Sequence, residues 1–192
     1  ARDADTCFNI MLGCNAGNAL NAGDHNIFMG CNAGKSVTTG NYNTVFGSNS
    51  LRDSTDAAHT ISKGYYAANQ TTAGGDNIFI GSYAGMCAGD SGCSHRNIGI
   101  GCLALQYAGK AGGTYSRCNV AIGNCAGKRI TTGDKNTVIG VLQLLNAQDH
   151  NQNIISFSSD IVGLVESLAS QASIALTNQL LIEEQKNLFK SF

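Results

Sequence analysis

The chain has 192 residues, enough for one domain and a short appendage. Its 12 basic and 13 acidic residues give a net charge of −1, which excludes a basic nucleic-acid footprint and a like-charged disordered tail. With 24 Gly, no Pro, no Trp and a charged fraction of only 13%, the composition suits a tightly repeating backbone rather than a globule with a bulky core.

In chain order, residues 1–8 are a lead that begins Ala-Arg-Asp-Ala-Asp, as a processed or trimmed N-terminus would. Residues 9–140 then carry an internal repeat. Asn26-Ile27-Phe28-Met29-Gly30-Cys31-Asn32-Ala33-Gly34 recurs from Asn9, from Asn77 and from Asn119, and more loosely from Asn43, Asn97 and Asn136. The first spacings are 17 residues, and the gap of 34 from Asn43 to Asn77 places a degenerate copy at Thr60-Ile61-Ser62-Lys63-Gly64. Insertions of three and five residues follow in the copies from Asn77 and Asn97. A fixed period of this length is the signature of a solenoid. The expectation is an all-β repeat fold, a parallel β-solenoid (β-helix or β-roll) of eight 17-residue rungs.

Within a rung the apolar pattern has strand character. Ile27, Ile78 and Ile98 form one column and Met29, Ile80 and Ile100 another, and period-2 alternation puts both on one face, read as the inner one. The middle position then points outward. It holds Met11, Phe28, Val45, Phe79 and Val138, which reads either as tolerated surface apolar residues or as a stripe buried against another subunit. Gly ends each strand where a bend or close approach excludes Cβ. Ala33 and its equivalents line a narrow inner corner. Asn9, Asn26, Asn43, Asn77, Asn97, Asn119 and Asn136 form a structural ladder whose carboxamides bond from rung to rung.

The repeat resembles the Asn-x-x-x-Gly-x-x-Ala-Gly repeats of phage tail-fibre-like and bacterial surface proteins, and is similar to the β-roll heads of trimeric autotransporter adhesins. The resemblance covers residues 9–140 and implies a self-associating fibre on the cell surface, in the extracellular space or on a virion. It implies a homo-oligomer, a trimer being favoured over an end-to-end filament.

Composition changes after Gly140. Residues 141–157 read as a junction, and Ser158-Ser159-Asp160 offers an N-cap for a C-terminal α-helix over 158–192. Residues 140–192 resemble the last strand and helix of a GAF sensory domain, without the strands that would build a ligand pocket. The helix reads as an oligomerisation segment or as a cap on the solenoid's end.

Chemistry is sparse. Cys14 and Cys31 share a column on adjacent rungs, about 5 Å apart, within disulfide reach. Cys87 and Cys93 fall in the first insertion. Disulfides are one reading and free thiols in small columns the other; an even count of eight cysteines favours an oxidising compartment. No Cys-x-x-Cys pair suggests zinc. His25, His59 and His95 sit in turns before a repeat start, without a catalytic partner. No nucleophile elbow, P-loop or dinucleotide fingerprint occurs, so neither an enzyme nor a cofactor is expected. No apolar run of transmembrane length occurs, so no membrane insertion is expected either. Thr38, Thr55, Thr72 and Thr131 form a column that an ice-binding solenoid would use. The insertions around Cys87–Cys93 and Gln106–Arg117 are the candidate contacts for a cell-surface glycan.

Overall fold

The computed structural model describes residues 7–71, 74–88, 94–109, 116–131 and 133–141, and the backbone of Ile155–Ser156. These residues belong to one compact unit, Ala1–Ser156. The chain is a parallel β-solenoid of about seven turns. Each rung gives one short strand: β1 (Ile10–Leu12), β2 (Ile27–Met29), β3 (Thr44–Phe46), β4 (Ile61–Lys63), β5 (Ile78–Ile80), β7 (Ile98–Ile100), β9 (Val120–Ile122) and β10 (Thr137–Ile139). These join β11 (Ile155–Ser156) in a nine-stranded sheet. The inserted segments end in β6 (Ser94–His95) and β8 (Ser116–Arg117), which pair as a separate two-stranded sheet. The helix expected over 158–192, and most of the junction before it, lie outside the described residues.

Equivalent residues pair without slippage. Ile27 lies beside Ile10 and Thr44, and Ile98 beside Ile78 and Val120, so the two insertions are absorbed before the register resumes. The Gly that ends each strand enforces this. Gly30 has φ 136, and a Cβ there would lie 2.5 Å from the carbonyl oxygen of Gly47 one rung on. Any side chain would push the rungs apart.

The alternation has the opposite sense to the sequence reading. Phe28, Val45, Phe79 and Val138 are fully buried within one chain, and Met11 packs against the same core. They are the interior column and form no subunit interface. The residues on either side of them turn outward, with Ile10 57% and Leu12 62% exposed. The parity of the strand explains the inversion. Asn26, Asn43, Asn77, Asn97, Asn119 and Asn136, each the first residue of its rung, are buried, and the middle residue lies two positions later on the same side. A strand of three residues in so narrow a coil turns only its middle side chain inward.

In five rungs that interior is packed by compensation within the rung. Where the middle residue is large, the turn position six residues later is Gly: Met11 with Gly17, Phe28 with Gly34, Phe79 with Gly85. A Cβ on Gly34 would sit 2.7 Å from the Phe28 ring, and one on Gly85 2.5 Å from that of Phe79. Val45 and Gly99, which are smaller, are paired with Leu51 and Leu105, whereas Ala121 is paired with Gly127 and the buried Ile130 fills the space, 2.8 Å from where a Gly127 Cβ would lie. Both leucines accept a left-handed backbone, φ 52 and 49, to supply the missing volume. The polar fourth rung is solved separately, since Ser62 takes the apolar place and its hydroxyl pairs at 2.7 Å with that of Ser50.

Candidate functional site: the outer face of the sheet

The Asn ladder is spent on structure. Asn97 shows its full form: Nδ2 donates to the Ser116 carbonyl at 2.8 Å and to Ser94 Oγ at 2.9 Å, while Oδ1 accepts the backbone N–H of Asn119 at 3.0 Å and its Nδ2 at 3.1 Å. Asn26, Asn43, Asn119 and Asn136 repeat the pattern from rung to rung. Apart from Asn136 Oδ1, which is buried without a partner among the described residues, their donors and acceptors are consumed in the interior and leave little to offer a ligand.

A second amide ladder lies at the corner after the strand. Asn15 Nδ2 donates to Asn32 Oδ1 at 3.2 Å, and Asn32 Nδ2 to Asn49 Oδ1 at 3.1 Å. Tyr66 and Tyr83 continue that column as stacked rings 5.7 Å apart, with Tyr65 packed edge-on against both. The Arg52 guanidinium lies over Tyr66 and, through hydrogen bonds to Asp53, holds that carboxyl below its ordinary range.

The turn before each strand carries a further column. Phe8, His25, Tyr42 and His59 stack ring on ring at 5.0, 4.8 and 5.1 Å. All four hold a left-handed backbone. His25 and His59 are thus part of a face-to-face stack with an aromatic residue between them. Single-residue inspection placed them in turns and missed the column.

The cysteines divide by exposure. Cys14, Cys31 and Cys102 lie in one exposed column at the corner after Gly, Cys7 and Cys118 are also exposed, and Cys87 and Cys125 are buried. Cys14 and Cys31 are free thiols, so the Cys14–Cys31 disulfide is not formed in this structure. Cys87 and Cys125 are buried although the equivalent residues of other rungs, such as Gln70 and Asn15, are exposed. Cys93 lies outside the described residues. No group of three metal-ligating side chains occurs among the described residues.

The threonines do not form an open hydroxyl array. Thr38 Oγ1 donates to the Thr55 carbonyl at 3.2 Å, and Thr39 Oγ1 to Asp56 Oδ1 at 3.0 Å. Thr72 is outside the described residues.

What stays exposed is the outer face of the sheet. One column runs Ile10, Ile27, Thr44, Ile61, Ile78, Ile98, Val120, Thr137; the other runs Leu12, Met29, Phe46, Lys63, Ile80, Ile100, Ile122, Ile139. All are half-buried or exposed, including Ile61 at 43% and Ile139 at 45%. Lys63 is the sole charge in the two columns. At about 4.8 Å per rung this is a ribbon about 35 Å long and about 10 Å wide. A one-sided sheet facing water normally alternates to polar residues outside, and this face departs from that pattern.

The fold and its surface define a parallel β-solenoid with a polar-laddered interior and an apolar outer sheet. No family model matches the chain, and neither a curated protein nor a solved structure matches it.

Proposed function

We propose that the protein is a structural, self-associating solenoid, a fibre or fibre-shaft element of an extracellular appendage or virion, whose copies pack through the outer face of the sheet. The apolar ribbon of paired columns carries this reading. Any partner for it must present apolar side chains at the same rung spacing, and another copy of the chain does so by construction. The ribbon's footprint is about 350 Å², short of the roughly 800 Å² that a standard interface buries on each partner. One ribbon-to-ribbon contact is therefore weak, and a trimer, in which each chain meets two neighbours along the ribbon and its flanking columns, is the assembly proposed. The resemblance of the repeat to tail-fibre and autotransporter-head sequences supports the same assembly.

Sedimentation velocity decides the matter. The wild-type chain is expected to run as a discrete trimer. Ile80→Lys with Ile100→Lys, which adds two charges beside Lys63 on the ribbon, is expected to run as a folded monomer with the same far-ultraviolet spectrum. A wild-type monomer at all concentrations would remove the proposal. So would a charged variant that still trimerises.

An oxidising setting, as this reading implies, would act on the thiols of Cys14 and Cys31. They stand side by side on adjacent rungs, Asn32 N–H bonding the Cys14 carbonyl at 2.8 Å. Oxidation by a disulfide reagent would join the pair and clamp the first two rungs. Reduction would restore both thiols.

A further inference from the structure

The turn column changes character halfway along the coil. After Phe8, His25, Tyr42 and His59 come Asp76, Arg96, Cys118 and Lys135. Beside them run Gly75, His95, Arg117 and Asp134, of which His95 and Arg117 belong to β6 and β8, the strands that follow the insertions. Here the surface is concave. One cleft of about 230 Å³ is lined by Asp76, His95, Arg96 and Arg117. Another of about 360 Å³ is shaped by Arg96 and Arg117 together with Asp134 and Lys135.

The charges in this groove are unequally committed. Asp134 is taken up by structure: its Oδ1 accepts the Arg117 backbone N–H at 2.8 Å and its Oδ2 the guanidinium at 3.1 Å. Asp24 plays the same backbone part for Cys7, at 2.7 Å, where no arginine is present. Asp134 is thus a turn cap first and a counter-ion second. Asp76 lies 3.8 Å from Arg96 with both side chains more than half exposed, a contact that water and salt largely screen. Lys135 has no ion-pair partner among the described residues. His95 is oriented, because its Nδ1 accepts the Gly75 N–H at 3.0 Å, which leaves Nε2 as the donor. Three cations face two carboxylates, so the groove carries a small positive excess on a chain whose net charge is −1.

We infer that this groove is a binding site for an acidic saccharide, a sugar residue bearing a carboxylate or sulfate. Arg96 and Lys135 receive the anion, His95 Nε2–H is a further donor, and Asp76 accepts sugar hydroxyls. An inorganic anion fills only part of a cleft of about 360 Å³ and has no use for Asp76. A polyanion such as nucleic acid requires a continuous basic track, and the excess charge here is too small and too local. The site borders the ribbon, Arg96 standing two residues before Ile98 and Lys135 two before Thr137. Titrating the Ile80→Lys, Ile100→Lys chain beside the wild type therefore separates sugar binding from self-association.

The experiment is amide chemical-shift mapping and titration of the intact chain with sialyllactose, a sulfated galactose, neutral lactose and inorganic sulfate. The acidic sugars are expected to shift the amides of residues 95–96, 117–118 and 134–135, at least about ten-fold more tightly than lactose or sulfate. Comparison of the two acidic sugars tells carboxylate from sulfate recognition. Arg96→Asn with Lys135→Asn is expected to weaken binding about ten-fold or more. Asn tolerates the left-handed backbone at both positions, φ 57 and 60, so the fold is kept. Lys35→Asn, on another turn, is expected to leave binding unchanged. No shifts, shifts elsewhere, an equal response to inorganic sulfate, or full binding by the double variant would each overturn the site. The mapping on the wild-type chain decides even if the double variant fails to fold.

Discussion

The inner and outer columns of this sheet are both apolar, yet only one is packed. Along most of the inner column residue size is coupled to a partner six positions later: Phe28 and Phe79 face glycines, Val45 and Gly99 face leucines, and at Ala121 and Gly127 the space is left to another residue, Ile130. Along the outer columns Ile, Leu, Met, Phe, Val and Thr alternate without any such coupling. Hydrophobicity says that a side chain avoids water; volume compensation says that a finite space has been filled. Interiors near crystalline density need the second property, whereas a face covered by another chain need not show it within one rung.

The sharpest break of the comparison is truncation on either side of a single strand. Phe79→Ala opens a cavity in the fully buried column and is expected to cost about 3–5 kcal/mol. Ile80→Ala, on the neighbouring outward residue, is expected to cost under about 1 kcal/mol of monomer stability. Its effect falls instead on association. Denaturant unfolding below the association threshold checks the first two numbers, and sedimentation the third. Equal losses in stability at both positions would mean that the two columns are not distinct in kind.

A double-mutant cycle tests the compensation itself. Leu51→Gly removes the side chain that fills the space beside Val45, and is expected to destabilise by about 3 kcal/mol even though Gly relieves a left-handed leucine. Val45→Phe alone overfills the rung and is expected to cost about 1–3 kcal/mol. Together they recreate the Phe28–Gly34 arrangement of the rung before, and the pair is expected within about 1 kcal/mol of wild type. The coupling is then large and favourable. Simple additivity, read from urea midpoints, would show that the size exchange along the sequence is incidental.

That exchange was also the signal in the sequence that separates inside from outside. The period, the rung starts, the strand-ending Gly and the small Ala corner were legible because each is an identity constraint. Gly30 cannot be anything else with a carbonyl so near, and the solenoid follows from the spacing. The direction of the strand was harder. Counting isoleucines favours the columns of Ile27 and Met29 as the interior, since they outnumber the bulky residues of the middle position. Hydrophobic count is blind to side when both faces of the sheet are apolar. Two weaker cues give the answer: the Asn two positions before shares the middle residue's parity, and the middle residue's volume is traded against the turn. The groove at Arg96 and Lys135 was less legible still. It depends on where three- and five-residue insertions bring His95 and Arg117, and no repeat copy provides a template for that.

The smallest expected effect concerns the ladder that lies between the two faces. Thr60 interrupts the buried Asn column. Its backbone N–H bonds Asn43 Oδ1 at 3.0 Å, as an Asn there would, but its hydroxyl turns back to the Ala58 carbonyl at 3.2 Å. Asn43 and Asn97 reach a carbonyl 14 and 19 residues ahead, at 2.7 and 2.8 Å, a bond that the shorter threonine side chain does not make. Thr60→Asn is therefore expected to join the fourth rung to its neighbour and stabilise the chain by about 0.5–1 kcal/mol. It should leave sedimentation unchanged, because the position is buried and lies off the ribbon. The fourth rung is also where Ser62 replaces an apolar interior residue, so amide hydrogen exchange there is expected to slow more than in the second rung. If Thr60→Asn instead loses stability, the space at this rung has closed around the shorter side chain, and the ladder is a local accommodation rather than a repeating support of the coil.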